Sequence, residues 1–246
     1  MEKRIYNLKI ERLPPSKLNL KRLPISPNLP LKVNLSNKMP AIFDQGTLGS
    51  CTAQALSALV TFNKRNFVGS RLFLYYCERS MDGTVSIDSG ATLEDGIKSL
   101  KKYGICPEMD WPYIIPKFTI RPPDICFKKA LDAQALKVEN INSSSIQAMK
   151  NCLNQGFPFV IGFLVFPSFE SIIVAKTGMV PYPGPNEKPL GGHAICVMGY
   201  DESKKRFYCR NSWGPKWGIN GNFWMPYTYL SNINLASDAW TIKLME

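Results

Sequence analysis

Along the chain, three stretches alternate apolar and polar positions at helical spacing, and they are followed by runs that read as strands. From Cys51 to about Asn66, residues Leu56, Leu59, Val60, Asn63 and Phe67 share one face, Ser50 stands where an N-cap belongs and Gly69 where a helix can stop. A second helix is predicted at about Leu93 to Tyr103, with Ile97 and Leu100 on its buried side and Gly104 at its end. A third is predicted from Ser144 or Ser145 to Asn154, closed by Gly156. Beyond it, Phe159 to Phe166 is continuously apolar and His193 to Tyr200 is rich in Ala, Ile, Val and Met. Phe207 to Asn211 then follows a polar turn at Asp201 to Lys205. Helices first and an antiparallel sheet later imply an α+β protein with two unlike lobes.

The first 40 residues break this pattern. Pro14, Pro15, Pro24, Pro27, Pro30 and Pro40 exclude a helix or an inner strand, so the segment is expected to be extended. Leu18, Leu20, Leu23, Leu29 and Leu31 are too many for a solvated linker, so it should lie along a surface of the folded body. Composition adds that 246 residues, 45% of them hydrophobic, can build one large domain or two modest lobes.

Charge changes the picture locally. Of the formal +11, residues 1–40 hold nine Lys and Arg against two acids, and the remaining 206 residues hold 21 against 17. The basic character therefore belongs to the N-terminal segment, either as a solvated tail or as a contact for an anion, a nucleotide or nucleic acid. No run is long enough for a transmembrane helix and no apolar stretch follows the first basic residues, so no membrane partner and no signal peptide are expected. The expected location is intracellular, or packaged in a virion or vesicle. Seven cysteines without a CxxC pair resemble neither a zinc ribbon nor a small disulfide scaffold, and no metal is predicted.

Candidate chemistry starts from a scarcity: His193 is the one histidine. It rules out any site built from two histidines of this chain. Gly191 and Gly192 before it permit close backbone approach, and the strand behind it, starting with Ala194, is apolar. In Asp44-Gln45-Gly46-Thr47-Leu48-Gly49-Ser50-Cys51 a glycine-containing loop delivers a cysteine to a helix start, where the positive helix end favours thiolate. A facing imidazolium would complete a nucleophilic ion pair. The loop alone is equally compatible with Cys51 as a small buried hydrophobe. In Asn211-Ser212-Trp213-Gly214-Pro215-Lys216-Trp217-Gly218, an amide oxygen can accept the second imidazole proton while an indole keeps water away from that bond.

Gln45, Gly-Ser-Cys51, Gly-His193-Ala and Asn211-Ser-Trp-Gly-x-x-Trp-Gly occur in the order and approximate separations of the papain-like cysteine peptidases, and the chain resembles that family from about residue 27 to its C-terminus. His193 and Asn211 follow Cys51 by 142 and 160 residues. Cys-Thr-Ala-Gln-Ala, Phe73-Leu74-Tyr75-Tyr76 and Asp95-Gly96-Ile97 look more like microbial and viral, cathepsin B-like members than like plant papains. The resemblance implies a helical left lobe (about 40–130), an antiparallel β-barrel-like right lobe (about 131–240) and a cleft between them. It implies Cys51 as nucleophile, His193 as proton partner, Asn211 as orienting residue and Gln45 as an oxyanion-hole donor with the Cys51 backbone N–H. Gly90 and Ser89 fall where the family pairs with substrate backbone, and Gly192, Ala194, Trp213 and Trp217 are further candidates for substrate binding. Protein or peptide substrates and no cofactor follow.

Departures from the family are informative. Leu48 replaces the first cysteine of Cys-Gly-Ser-Cys-Trp, so the family's disulfide from that position cannot form, although the other cysteines could still pair. Thr52 replaces the tryptophan. The carboxydipeptidase activity of the cathepsin B branch relies on extra histidines that are absent here, so endopeptidase action is expected. Residues 1–26 are far shorter than the usual helical prosegment; they are expected to form a short, extended, Pro-rich propeptide in or near the cleft, an inhibitor carried by the chain itself, with residues 27–246 as the peptidase domain.

Overall fold

A computed structural model describes residues 4–10 and 28–246. Four helices come first: α1 (Cys51–Asn63), α2 (Arg71–Met81), α3 (Leu93–Lys102) and α4 (Asp124–Ala130). Every residue of α1 from Cys51 to Val60 is buried, because the helix runs through the middle of the molecule. This is why its one-faced pattern is weak. Leu56, Leu59 and Val60 are wholly inaccessible, each contributing about 1.5–3 kcal/mol of apolar burial. The helix ends at Asn63, six residues before Gly69, and Lys64 leaves in an extended conformation. Ser50 precedes α1 but its side chain caps nothing; its hydroxyl pairs with that of Tyr113 at 2.6 Å. The expectation for α3 holds in detail: Ile97 and Leu100 are buried, and Gly104 follows at φ +72°.

The second half supplies most of the sheet. With β1 (Lys32–Asn34) from the N-terminal region, β2 (Ala135–Ile141), β3 (Phe159–Val165), β4 (Gly191–Asp201), β5 (Arg206–Arg210), β6 (Asn222–Pro226) and β7 (Ala236–Met245) pair antiparallel throughout. The order is β2-β7-β3-β4-β5-β6. β1 pairs with Gly199–Asp201 of β4, beyond the stretch that β3 covers. Helices α5 (Ile146–Asn154), α6 (Ile172–Thr177) and α7 (Tyr227–Leu230) lie between strands in the chain. Ser145 caps α5 through the Ala148 amide, and Gly156 follows it at φ +86°. The fold is the expected α+β type, but the sheet path runs from β2 to β6 and does not close into a barrel among the described residues.

Two apolar cores explain why β3 and β4 read as unbroken apolar runs. Side chains alternate across a strand, and here both faces are covered. Val160, Ala194 and Cys196 face the helical lobe with Leu56 and Leu59. Phe159, Ile161, Phe163, Ile195 and Val197 join Phe169, Phe207 and Phe223 on the other side. All seven cysteines are buried and free, so no pairing among them takes the place of the family's lost disulfide. Among the described residues no helix is long and apolar enough to cross a membrane.

Candidate active site

The site forms where α1 begins against β4. Cys51, the first residue of α1, lies within hydrogen-bonding reach of the Ala194 backbone, beside His193. His193 shares the face of Ile195 and Val197, where its ring meets Phe163 edge-on at 5.8 Å. The next strand delivers its partner: Asn211 follows β5, and its Oδ1 stands 2.8 Å from His193 Nε2. The same oxygen accepts the Ser212 amide at 2.8 Å, which fixes the amide's orientation. Nδ1, the other ring nitrogen, is buried without a hydrogen-bond partner. Trp213 stacks on the imidazole at 4.9 Å and 27°, sealing the His193–Asn211 bond from water. Trp217 sits behind it, edge-on to Trp213 at 5.0 Å and packed on Phe169 and Phe223, so it supports the indole from within the core.

Gln45 is buried on the loop before α1. Its Oε1 accepts the Ser212 hydroxyl at 2.6 Å and its backbone N–H donates to Ser212 O, which ties the loop to the Asn211 turn. Nε2 donates to Leu48 O at 3.0 Å, using one of its two N–H groups. The Tyr113 hydroxyl reaches both the Ser50 hydroxyl and Gln45 O, bracing the nucleophile loop from the helical lobe. Thr52 donates its hydroxyl to Glu78 at 2.6 Å. Glu78 is wholly buried, and that burial raises its pKa well above the ordinary carboxylate value.

Residues 4–10 run across this constellation. The Leu8 amide donates to Gly192 O and the Lys9 amide to Ala91 O, so the segment is hydrogen-bonded to both walls. Asn7 bridges in parallel to Gly192 and donates its side-chain amide to Asp88 O at 2.9 Å. Tyr6 packs edge-on to His193 and Trp213, and the Arg4 guanidinium lies 3.7 Å above the Trp213 ring. Leu8 is buried in the helical-lobe core, and Lys9 pairs with Asp82 at 2.7 Å. Gly49, Gly90, Gly191 and Gly192 all lie close enough to residues 6–8 that a side chain would clash. A Cβ on Gly90, which sits at φ +68°, would lie 1.8 Å from Asn7 O, and one on Gly192 would lie 2.6 Å from Leu8 O.

Burial shifts the titration of both Cys51 and His193. Desolvation pushes the Cys51 thiol up to about 12, against help from the Ala194 backbone. Burial, with Arg4 nearby, brings His193 down to about 4 despite the Asn211 bond. Both shifts run against the expected thiolate–imidazolium pair while the site is buried, because excluding water penalises charge on either group.

The structure brings Cys51, His193, Asn211, Gln45, Trp213, Gly192, Ala194 and Gly90 together. Ser89 turns its hydroxyl to Thr84 and to Gly90 O, away from the segment. Ser212, Tyr113 and the individual residues of the covering segment were not expected from the chain's patterns; Ser212 lies within the Asn-Ser-Trp-Gly motif, whereas nothing local marks Tyr113. The basic N-terminal residues in view are engaged with the body, Arg4 on Trp213 and Lys9 on Asp82. Arg12, Lys17, Lys21 and Arg22, the prolines from Pro14 to Pro27 and Leu18, Leu20 and Leu23 lie outside the described residues.

Comparison with known proteins agrees with this geometry. A peptidase C1-like protein of Acanthamoeba polyphaga mimivirus is 45% identical over 213 residues, covering 81% of this chain and 68% of its own length. Cathepsin B-like CP2 of Giardia intestinalis is 31% identical over 203 residues, covering 76% of this chain and 64% of its own. Among solved structures, xylellain, a cysteine protease from Xylella fastidiosa, superposes with a TM-score of 0.88 at 37% identity, over 98% of this chain and 96% of that one. A procathepsin B from Trypanosoma congolense shares the fold, at 17% identity and a TM-score of 0.74 over 98% and 87% of the two chains. Residues 29–242 match the family described as papain family cysteine protease, and the chain belongs to that family.

Proposed function

We propose that the protein is a cysteine endopeptidase made as a zymogen, in which residues 1–26 are a short propeptide and Cys51, His193, Asn211 and Gln45 carry the reaction. Once the segment leaves, water and substrate return to the cleft and the thiol can lose its proton to His193. The thiolate attacks the peptide carbonyl, and the tetrahedral oxyanion is met by the Cys51 backbone N–H and Gln45 Nε2. His193 protonates the departing amine, then activates the water that hydrolyses the thioester. Asn211 holds the ring so that Nδ1 performs both transfers.

The observation that carries this reading is the convergence at one point of the α1 N-terminus, the Ala194 amide and an imidazole already oriented by Asn211 and capped by Trp213. Gly90, Ala91 and Gly192 are proposed to take substrate backbone, because they take the backbone of residues 7–9 here. Cys51→Ala should reduce peptide hydrolysis to background while leaving the thermal unfolding cooperative; retained turnover in that variant would refute the assignment. Labelling with an epoxide inhibitor and mapping the adduct should find it on Cys51.

A further inference from the structure

Leu48 removes the covalent tie that the family resemblance implies for the nucleophile loop, yet that loop is not loose. The Gly49 amide donates to both carboxylate oxygens of Asp88, at 2.9 and 3.2 Å. Asp88 also accepts the hydroxyl proton of Tyr75. Tyr75 is wholly buried on α2, so its ring is a fixed post. Its hydroxyl oxygen in turn accepts the amide of Gly90 at 3.1 Å.

One carboxylate and one phenol thus join two pieces of chain about forty residues apart: Gly49, two residues before the nucleophile, and Gly90, the backbone against which residues 7–9 lie. Each bond has its direction set by chemistry. A carboxylate can only accept, from Gly49 and from Tyr75. The phenol, donating its O–H to Asp88, has oxygen lone pairs left to accept from Gly90. Burial and the adjoining carboxylate both hold the Tyr75 hydroxyl in its protonated, donating form. The chain closes without a spare donor.

We propose that Asp88, through Tyr75, is the positioning residue that sets the nucleophile against the substrate-binding backbone, replacing a covalent tie with a charge-assisted hydrogen-bond relay. The inference rests on the peptidase reading, in which Cys51 and Gly90 act on one substrate. It predicts that loosening the relay costs peptide hydrolysis far more than it costs the reactivity of the thiol, since alkylation needs Cys51 and its proton acceptor but not the substrate-binding backbone.

The experiment uses the full chain and measures two rates: kcat/KM on a peptide substrate, and the second-order rate of Cys51 alkylation by iodoacetamide. Occupancy of the cleft by residues 4–10 slows both by the same factor, so their ratio is independent of how often the segment leaves. In Asp88→Ala and in Tyr75→Phe the ratio should fall by about tenfold or more, through kcat and KM together, whereas Asp88→Asn, which still accepts from Gly49, should recover part of it. Amide hydrogen exchange supplies a readout independent of turnover: Tyr75→Phe touches Gly90 directly, but should also speed exchange at Gly49. A ratio within twofold of the parent in the variants that fold, or Gly49 exchange unchanged in Tyr75→Phe, overturns the proposal. If the parent alkylates at Cys51 yet hydrolyses no peptide, the peptidase reading falls, and the exchange measurement still decides the relay.

Discussion

His193 and Cys51 are both shifted away from the charged forms their chemistry uses, and the largest cause is burial. Burial lowers the His193 pKa, with Arg4 adding to the effect, and raises that of Cys51, while Tyr6 packs edge-on to the imidazole. Asn211 is the counterweight, the one hydrogen bond that favours the imidazolium. Losing it should cost part of the 10²–10⁴-fold typical of a positioned general acid: Asn211→Ala is expected to lower kcat roughly 10- to 100-fold with KM little changed, measured on enzyme freed of its N-terminal segment. These candidates were legible in the sequence because catalysis restricts residue type. A lone histidine after two glycines, in one chain with an Asn before Ser-Trp-Gly, is a combination that core packing alone does not require. Tyr113 and Tyr75 were not legible, since a buried tyrosine shows its hydroxyl's partner only after folding.

At the level of elements, residues 4–10 behave as a ligand supplied by the chain. Their hold can be apportioned: burying Leu8 is worth about 1.5–3 kcal/mol, whereas the half-exposed Lys9–Asp82 pair is worth about 0–1 kcal/mol. A chain starting at Pro27 should therefore turn over peptide at least about tenfold faster than the full chain. Leu8→Ala should recover more of that gain than Asp82→Ala does, since about 1.4 kcal/mol is tenfold in an equilibrium. Equal turnover by the full and shortened chains would show that the segment does not guard the site. Of the regular elements, α3, α5, β3 and β4 could be read beforehand because their caps or apolar runs are local signals. Helix α2 and strands β2 and β7 could not. Leu72 to Cys77 of α2 form an unbroken apolar and aromatic run, which does not tell a buried helix from a strand, and β2 and β7 interleave Lys, Glu and Asp with apolar residues at bulged register.

For the whole molecule, seven buried free thiols make a prediction about stability. Burial raises the thiol pKa throughout, to about 12 at Cys51, Cys152 and Cys196 from an unperturbed 9.0. A raised folded-state pKa means that the unfolded chain ionises first. The contribution is complete below pH 9 and is lost as pH rises from 9 through the folded values. The melting temperature should accordingly fall steeply above pH 9, and at pH 7 it should not respond to a reducing agent, because there is no disulfide to break. A plateau extending beyond pH 10 would contradict this.

By itself the sequence determined the family and the α+β plan and singled out the four residues proposed for the reaction, because motif spacing, helix caps and apolar runs are written locally and survive without coordinates. Only the tertiary structure decided which residues of the N-terminal segment meet the catalytic pair and that the sheet remains open. It also decided that Cys51 and His193 are both buried, and that Asp88 and Tyr75 tie Gly49 to Gly90. Each of these depends on desolvation or on contacts between residues far apart in the chain, which no local pattern encodes.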